Sequence, residues 1–156
     1  ELHKNNVRFT TIGNLCQLPK STQKGILEGA EITKDNSGLN LCLALNYGSR
    51  QEMIDAIRTV VNRVISGNLD ITNINENIFS NLLQTAGMPD PDLLIRTSGE
   101  SRLSNFLLWQ IAYSEIYITD TYWPAFREQS LLNAILNYQS RERRFGQVSA
   151  QVKNRT

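Results

Sequence analysis

Two arginines and a serine in one short stretch are the residues of this 156-residue chain with the clearest chemical potential. Arg96 ends an apolar run, a loop containing glycine follows it, and Arg102 and Ser104 come next. Two guanidinium groups, a hydroxyl and the N–H groups of a loop can together surround a phosphate or a diphosphate. The stretch from Asp90 to Asn105 therefore indicates an anion site.

A purely structural interpretation of this stretch stays open at this point. Arg96 could instead pair with Asp92 or Glu100, while the serines of the stretch cap a following helix. Arginine outnumbers lysine 11 to 5 in the whole chain. That ratio favours planar, bidentate recognition of oxyanions, but it is a weak signal and does not decide between the two interpretations.

Two more charged features lie further along the chain. Glu115 stands just before an apolar run, where a carboxylate could hold Mg²⁺, a cation that prefers oxygen ligands, or could pair with a nearby arginine. The stretch from Arg141 to Gly146 contains three arginines and ends the last predicted helix. Such a stretch is typical of a solvated helix terminus, and its positive charge could also reach an anionic ligand or partner.

Short apolar runs alternate with helical patterns along the chain. Apolar residues recur at three- and four-residue spacing over Ser49–Ile65, and weaker patterns predict helices over Lys20–Thr33, after the Asn73 and Asn75 caps, and from Phe126 to Tyr138. The runs that predict strands are Val7–Ile12, Leu39–Leu45, Leu93–Ile95 and Ile116–Ile118. The alternation predicts an α/β fold with a parallel sheet covered on both faces, and one more helix between the last two strands.

The carboxyl ends of parallel strands are where ligands bind in folds of this kind. That rule directs attention to the residues that follow each predicted strand. These are Gly13-Asn14, Asn46-Tyr47-Gly48, Arg96 to Gly99, and Thr119-Asp120. The stretch that indicates an anion site is therefore also at the edge of the sheet where a ligand is expected.

Composition excludes several classes of protein. Lys and Arg total 16 and Asp and Glu total 15, and the formal net charge of +1 argues against a general nucleic-acid binder. His3 is the one histidine, which excludes a histidine-rich zinc site and argues against a Ser-His-Asp triad. Cys16 and Cys42 are too far apart for a CxxC pair, and we expect them to be buried, reduced thiols.

Two other features bear on partners. The longest apolar run is far below the roughly 18 residues that a membrane span needs. Five aromatic residues cluster between Trp109 and Trp123. We expect them in the core or at a subunit interface, because a basic groove for stacking them on nucleic-acid bases is missing.

Longer motifs follow one another over nearly the whole chain. They are Asn6-Val7-Arg8, Ile12-Gly13, Leu45-Asn46-Tyr47-Gly48-Ser49-Arg50, Asp92 to Glu100, Arg102 to Gln110, Ala112-Tyr113-Ser114-Glu115, Trp123-Pro124 and Arg141 to Gly146. In this order they resemble the cis-prenyltransferases, in particular the bacterial undecaprenyl diphosphate synthases, also called isoprenyl transferases. The resemblance implies an α/β fold with a central, mainly parallel sheet flanked by helices on both faces, and a homodimer.

The resemblance also implies roles for particular residues. Arg96, Arg102 and Ser104 match the residues that hold isopentenyl diphosphate in the family. Glu115 matches an acidic residue linked to Mg²⁺ and the dimer region, and Arg144 and Gly146 match a C-terminal Arg-x-Gly motif that reaches the neighbouring subunit's active site. On the resemblance, Mg²⁺ is the expected cofactor.

The family's activity supplies the expected function. Its members condense isopentenyl diphosphate onto an allylic diphosphate such as farnesyl diphosphate and form long cis-polyprenyl diphosphates. Such a protein is expected in the cytoplasm, with peripheral association at the inner face of the membrane and no nucleic-acid partner. A non-catalytic partner subunit of a cis-prenyltransferase is the alternative, although such subunits tend to lose the arginines that are present here as Arg96 and Arg102.

Some family features are not found in this sequence. Members carry an N-terminal segment with a loop of the type Asp-Gly-Asn-Gly-Arg, whose Asp is the main catalytic group, and apolar helices that wall the product tunnel. We therefore expect residues 1–156 to be the C-terminal portion of a single cis-prenyltransferase domain, incomplete at the N-terminus and without the catalytic Asp. Ser101 stands where bacterial members often have His, and Gln147 replaces the usual second glycine.

The 156-residue chain alone is accordingly predicted to be inactive, because one diphosphate site and half of the tunnel are expected to be missing. Incubation with labelled isopentenyl diphosphate, farnesyl diphosphate and Mg²⁺ should leave no label in a polyprenyl product. Intact mass of the same sample is the control, since it shows that the assayed chain is the 17.7 kDa species. Long-chain product from a chain of that mass would contradict the prediction.

Overall fold

Two pairs of parallel strands form the sheets of the structure, a computed structural model that describes residues 1–141. The first pair lies in the unit Glu1–Met88 and the second in the unit Pro89–Thr156. Every strand in these pairs runs parallel to its neighbour. The predicted α/β fold with parallel strands is confirmed.

In the first unit, β1 (Arg8–Ile12) pairs with β2 (Asn40–Ala44), and α1 (Lys20–Thr33) is the crossover helix between them. The strand bounds lie within one residue of the prediction at each end, and the bounds of α1 agree with it. Phe9 and Ile12 of β1 are buried, whereas β2 is half-buried or exposed along its length. Of the two strands, β1 therefore contributes to the core of this unit and β2 does not.

Thr33, the last residue of α1, ties this helix to β1. Its side chain is nearly fully buried, at 3% exposed. The hydroxyl accepts a hydrogen bond from the Phe9 N–H at 3.0 Å and donates one to the Gly29 carbonyl at 2.8 Å. A buried strand amide thus finds its partner in a helix side chain, as buried polar groups must.

The helix α2 (Ser49–Ile65) has its predicted bounds but a different buried face. Ser49, Glu52, Ala56 and Val60 are buried, at the helical spacing of three and four residues. Ile54, Ile57 and Val61, three apolar residues of the helical pattern, are between 45% and 48% exposed. The periodicity predicted the apolar stripe of α2. The hydrogen bonds of Glu52, which are described below, lie on the side of the helix that faces inward.

A short helix, α3 (Glu76–Ser80), closes the described secondary structure of this unit. The Asn75 side chain accepts a hydrogen bond from the Ile78 N–H at 3.0 Å, so the predicted Asn75 cap is confirmed. The helix ends at Ser80, so the apolar pair Leu82 and Leu83 lies beyond it. Leu83 is nevertheless buried, at 3% exposed, from a turn rather than from a helix.

In the second unit, β3 (Leu93–Arg96) pairs with β4 (Glu115–Ile118), and α4 (Glu128–Gln139) packs on β4. The helix predicted between these two strands is wrong: the segment 97–114 consists of turns and bends. Ser104, Asn105 and Leu107 have φ angles of 52°, 60° and 46°. Left-handed residues cannot continue a right-handed helix, so helix formation fails there.

Surface features of residues 1–141 settle several expectations. None of the helices in this part of the chain is long and apolar enough to cross a membrane. Both cysteines are free thiols, as predicted, but Cys16 is exposed rather than buried. Tyr113, Tyr122 and Trp123 are 69% to 72% exposed, which excludes them from the core of this unit.

The bond between Thr33 and Phe9 gives a test of the first unit. Thr33→Val removes the hydroxyl, leaves the buried Phe9 N–H without a partner, and should lower the free energy of unfolding by about 1–3 kcal/mol. Thr59→Val is the matched control, because Thr59 makes its hydrogen bond to Asp55 at an exposed site of α2. Urea unfolding measures both variants. Equal losses in the two would show that the Thr33 hydroxyl has no special role.

Candidate anion-binding site

Strand register determines which side chains of β3 and β4 share a face. Leu94 pairs with Ile116, and Arg96 pairs with Ile118. Because side chains alternate along a strand, these four lie on the same face of the pair. Ile116 and Ile118 are 44% and 45% exposed, so this is the more open face.

Backbone hydrogen bonds extend the pairing beyond the carboxyl ends of the strands. The Thr119 N–H donates to the Arg96 carbonyl at 2.9 Å, the Gly99 N–H to the Thr119 carbonyl at 2.9 Å, and the Ser98 N–H to the Thr121 carbonyl at 3.0 Å. Ser98 and Gly99 reach these partners with φ angles of 67° and 65°. These two amides are thus engaged within the fold, and an anion contact by other N–H groups of the loop stays a prediction.

A cavity of about 110 Å³ lies on the open face of this strand pair. One water molecule needs only about 10–15 Å³ by such a measure, so the cavity has room for a small anion. The residues that line it are Leu94, Arg96, Glu100, Ser101, Arg102, Leu103, Ile116 and Ile118. The structure therefore brings Arg96 and Arg102 together. Beside them, Leu94, Ile116 and Ile118 form the apolar floor of the cavity.

The two arginines differ in their surroundings. Arg96 Nε is buried and has no hydrogen-bond partner within residues 1–141. Arg102 is 67% exposed, and its Nη1 lies 2.5 Å from Glu100 Oε2. The structural interpretation had paired Glu100 with Arg96; the carboxylate pairs with Arg102 instead. A partly desolvated donor without a partner is a strong site for an oxyanion, because an unmet buried donor is costly.

Ser104 lies beyond the cavity lining in the described structure. It is exposed, with a φ of 52°, and Ser101 is the serine that lines the cavity. Neither serine caps a helix, because no helix follows them before β4. The role of Ser104 in holding a diphosphate stays a prediction.

Glu115 is separated from this cavity in two ways. It lies at the amino end of β4, three residues before Ile118, which pairs with Arg96. At ~3.3 Å per residue, that separation along the strands is about 10 Å. Alternation also directs Glu115 to the opposite face, where Arg141 Nη1 donates to Glu115 Oε2 at 2.8 Å. The salt bridge considered for Glu115 is present.

The described side chains around Glu115 could supply only part of the ligand set of the predicted Mg²⁺. Arg141 contacts Oε2, which leaves Oε1 able to face a cation. Within residues 1–141, no group of three or more His, Cys, Asp or Glu side chains is placed to hold a metal ion. Mg²⁺ often takes one carboxylate together with phosphate oxygens and waters, so a single carboxylate fits only with a phosphate ligand. The other predicted residues, Arg144 and Gly146, lie outside the described residues.

The sequence did not predict that Leu94, Ile116 and Ile118 line the cavity, or that Glu100 pairs with Arg102. Leu94, Ile116 and Ile118 were interpreted only as buried strand residues. The signal that could have found them is the alternation itself: once the two strands are aligned so that Arg96 pairs with Ile118, every second residue joins the arginine's face. Nothing in the sequence distinguished Arg102 from Arg96 as the partner of Glu100.

The carboxyl edge of the β1–β2 pair is built differently. Gly13 has a φ of 106°, and a Cβ there would lie 2.0 Å from the Leu45 carbonyl oxygen, so only glycine fits. The next residue, Asn14, donates its N–H to the Asn46 carbonyl at 3.2 Å, and the Asn46 side chain donates back to the Asn14 carbonyl at 3.1 Å. The two turns after β1 and β2 are thereby held against each other.

A buried carboxylate completes this edge. Glu52 is 4% exposed. Its Oε2 accepts from the Tyr47 hydroxyl at 2.6 Å and its Oε1 from the Gln84 N–H at 2.8 Å. The Gln84 side chain in turn accepts from the Gly13 N–H at 2.5 Å. The polar groups named at this edge are hydrogen-bonded to one another, so their role is structural.

One known protein family matches this chain. A family model described as "Putative undecaprenyl diphosphate synthase" matches residues 1–146. The chain belongs to this family. The predicted resemblance is therefore confirmed, and the α/β fold and the strand-end arginines agree with it.

Individual relatives show how far the similarity extends. The isoprenyl transferase of Clostridium perfringens is 53% identical over 148 residues, which are 95% of this chain and 58% of that relative. The ditrans,polycis-undecaprenyl-diphosphate synthase of Micrococcus luteus, described as (2E,6E)-farnesyl-diphosphate specific, is 52% identical over 146 residues, or 94% of this chain and 59% of that enzyme. The chain thus spans somewhat more than half the length of these relatives.

A solved structure is similar in fold as well as in sequence. It is the crystal structure of lavandulyl diphosphate synthase from Lavandula x intermedia in complex with dimethylallyl diphosphate. The TM-score is 0.88 at 38% identity, over 90% of this chain and 61% of that one. That crystal structure therefore shows a protein of this fold with dimethylallyl diphosphate bound.

The pair formed by Glu115 and Arg141 gives a second test. The two side chains are 29% and 31% exposed, so their coupling should exceed that of an exposed pair and reach about 1 kcal/mol in a double-mutant cycle of alanine variants. A cycle on Asp55 and Arg58, which are 56% and 68% exposed, is the control and should give about 0.3–0.5 kcal/mol. Denaturant unfolding measures both cycles. A coupling no larger than the control's would show that Glu115 is not held by Arg141 in solution.

Proposed function

We propose that this chain is the diphosphate-holding portion of an undecaprenyl-type diphosphate synthase, in which Arg96 and Arg102 bind isopentenyl diphosphate. One observation carries the proposal: two guanidinium groups and an apolar floor line the same cavity at the end of β3. The ligand that suits such a cavity has an anionic head and a short hydrocarbon tail. Isopentenyl diphosphate has both, and Leu94, Ile116 and Ile118 would contact its tail.

In the proposed reaction, the chain's own residues bind and orient. The double bond of isopentenyl diphosphate attacks the allylic carbon, the allylic C–O bond breaks, diphosphate leaves, and a proton is lost from the new C–C unit. Arg96 and Arg102 hold the attacking substrate by its diphosphate, which fixes where its double bond lies. Ser104 is proposed to add a hydroxyl to this grip. Within residues 1–141 we assign no catalytic residue.

Mg²⁺ is proposed as the cofactor, with Glu115 supplying one carboxylate oxygen and substrate phosphates or waters supplying others. When bound, the ion would neutralise charge on a diphosphate. Glu115 Oε1 is the atom available for this role, since Oε2 accepts from Arg141. Glu115 and Arg96 lie on opposite faces of the β3–β4 pair, so Glu115 serves a diphosphate other than the one in the cavity of its own chain.

Assembly and location are part of the same proposal. We propose a homodimer in which Arg144 and Gly146 reach the partner's site, supported by the family's Arg-x-Gly motif and by the exposed aromatic residues Tyr113, Tyr122 and Trp123. Residues 1–156 are proposed to be the C-terminal portion of a single domain, since one family model runs unbroken over residues 1–146. A cytoplasmic location, with peripheral association at the membrane, suits a polyprenyl product.

Binding of isopentenyl diphosphate to the 156-residue chain, measured by calorimetry, tests the central step. Arg96→Ala and Arg102→Ala should each weaken binding by about 10- to 100-fold, because each loses a hydrogen bond between charged groups. Arg58→Ala is the matched control: Arg58 is 68% exposed, close to the 67% of Arg102, and lies on α2 of the first unit.

The pattern across these variants decides the outcome. Unchanged binding in both cavity variants would place the diphosphate elsewhere and overturn the proposal. An equal loss in Arg58→Ala would mean that overall positive charge, and not the cavity, attracts the ligand. Arg96→Lys should recover part of the loss only, because an ammonium cannot make the bidentate contact of a guanidinium.

A further inference from the structure

Glu100 holds one of the two arginines on which the cavity depends. Its Oε2 lies 2.5 Å from Arg102 Nη1, and both residues line the cavity. The carboxylate therefore contacts the Arg102 guanidinium at the position where an anionic ligand would bind. A carboxylate and a phosphate oxygen compete for the same N–H donors, because Arg pairs with both in the same planar geometry.

Two neighbouring backbone donors cannot replace this guanidinium. The N–H groups of Ser98 and Gly99, which follow Arg96 in the loop, donate to the Thr121 and Thr119 carbonyls instead. Among the residues that line the cavity, Arg96 and Arg102 carry the positive charge that attracts an anion. Any residue that engages one of them has a direct effect on affinity.

From this geometry we infer that Glu100 is an affinity-determining residue: its carboxylate is an internal competitor that an incoming diphosphate displaces from Arg102. The inference rests on the proposed function, since it needs a diphosphate in this cavity. Glu100 is 38% exposed and Arg102 is 67% exposed, so both can move into water when they separate. Ion pairs of such exposure are weak, and the competitor therefore lowers affinity without closing the site.

Calorimetric titration of the 156-residue chain with inorganic diphosphate tests this inference. Glu100→Gln removes the charge, keeps the side-chain shape, and should bind inorganic diphosphate about two- to fivefold more tightly than the wild type. Asp55→Asn is the matched control, because Asp55 pairs with Arg58 at 3.0 Å on the exposed face of α2. It changes net charge equally and should leave affinity unchanged. Thermal unfolding checks that both variants fold.

A second variant distinguishes competition for Arg102 from general electrostatic repulsion by the Glu100 carboxylate. In Arg102→Gln, where the contested guanidinium is gone, adding Glu100→Gln should give no further gain. Equal or weaker binding by Glu100→Gln in the wild-type background would overturn the inference and would show that Glu100 positions Arg102 for the ligand. An equal gain with and without Arg102 would also overturn it. No binding of inorganic diphosphate by wild type or Glu100→Gln would overturn the proposed function as well.

Discussion

The parallel register of β3 on β4 is the constraint on which the whole candidate site depends. It pairs Arg96 with Ile118 and Leu93 with Glu115. Because side chains alternate along strands, this one alignment directs Arg96 to the open face and Glu115 to the opposite face. A slip of one residue would exchange the faces of every side chain on one strand. The hydrogen bonds from Thr119 to Arg96 and from Gly99 to Thr119 continue the ladder past the strand ends and hold this register.

The two units fix the turns at their strand ends by different chemistry. Beyond β3 and β4, most of the closure comes from backbone amides and carbonyls that pair directly, with left-handed residues at Ser98 and Gly99. Beyond β1 and β2, side chains make much of the closure, through the buried carboxylate of Glu52 and the amide of Gln84. The first solution leaves nearby side chains such as Arg96 available for a ligand, whereas the second uses its polar side chains in the fold.

Prediction from sequence succeeded where local pattern determines the outcome. The bounds of α1 and α2 and the cap at Asn75 depend on spacing and capping residues within one segment. It failed where distant contacts decide. The inward face of α2 depends on Glu52 meeting Tyr47 and the Gln84 backbone, and the pairing of Glu100 depends on the path of the loop. Strand-end position and residue type singled out Arg96 and Arg102, which the structure places in the lining of one cavity; their role in binding an anion stays a prediction.

Burial gives the two arginines of the cavity unequal parts in holding an anion. Arg96 Nε is buried without a partner within residues 1–141, so an anion that reaches it removes an existing cost as well as making a new bond. Arg102 is largely in water and already paired, so a ligand there exchanges one anion for another. In the proposed site, Arg96 would thus be the fixed anchor and Arg102 the adjustable contact. The apolar floor of Leu94, Ile116 and Ile118 would add an attraction that salt does not screen, so a prenyl diphosphate would keep this part of its binding free energy at high ionic strength.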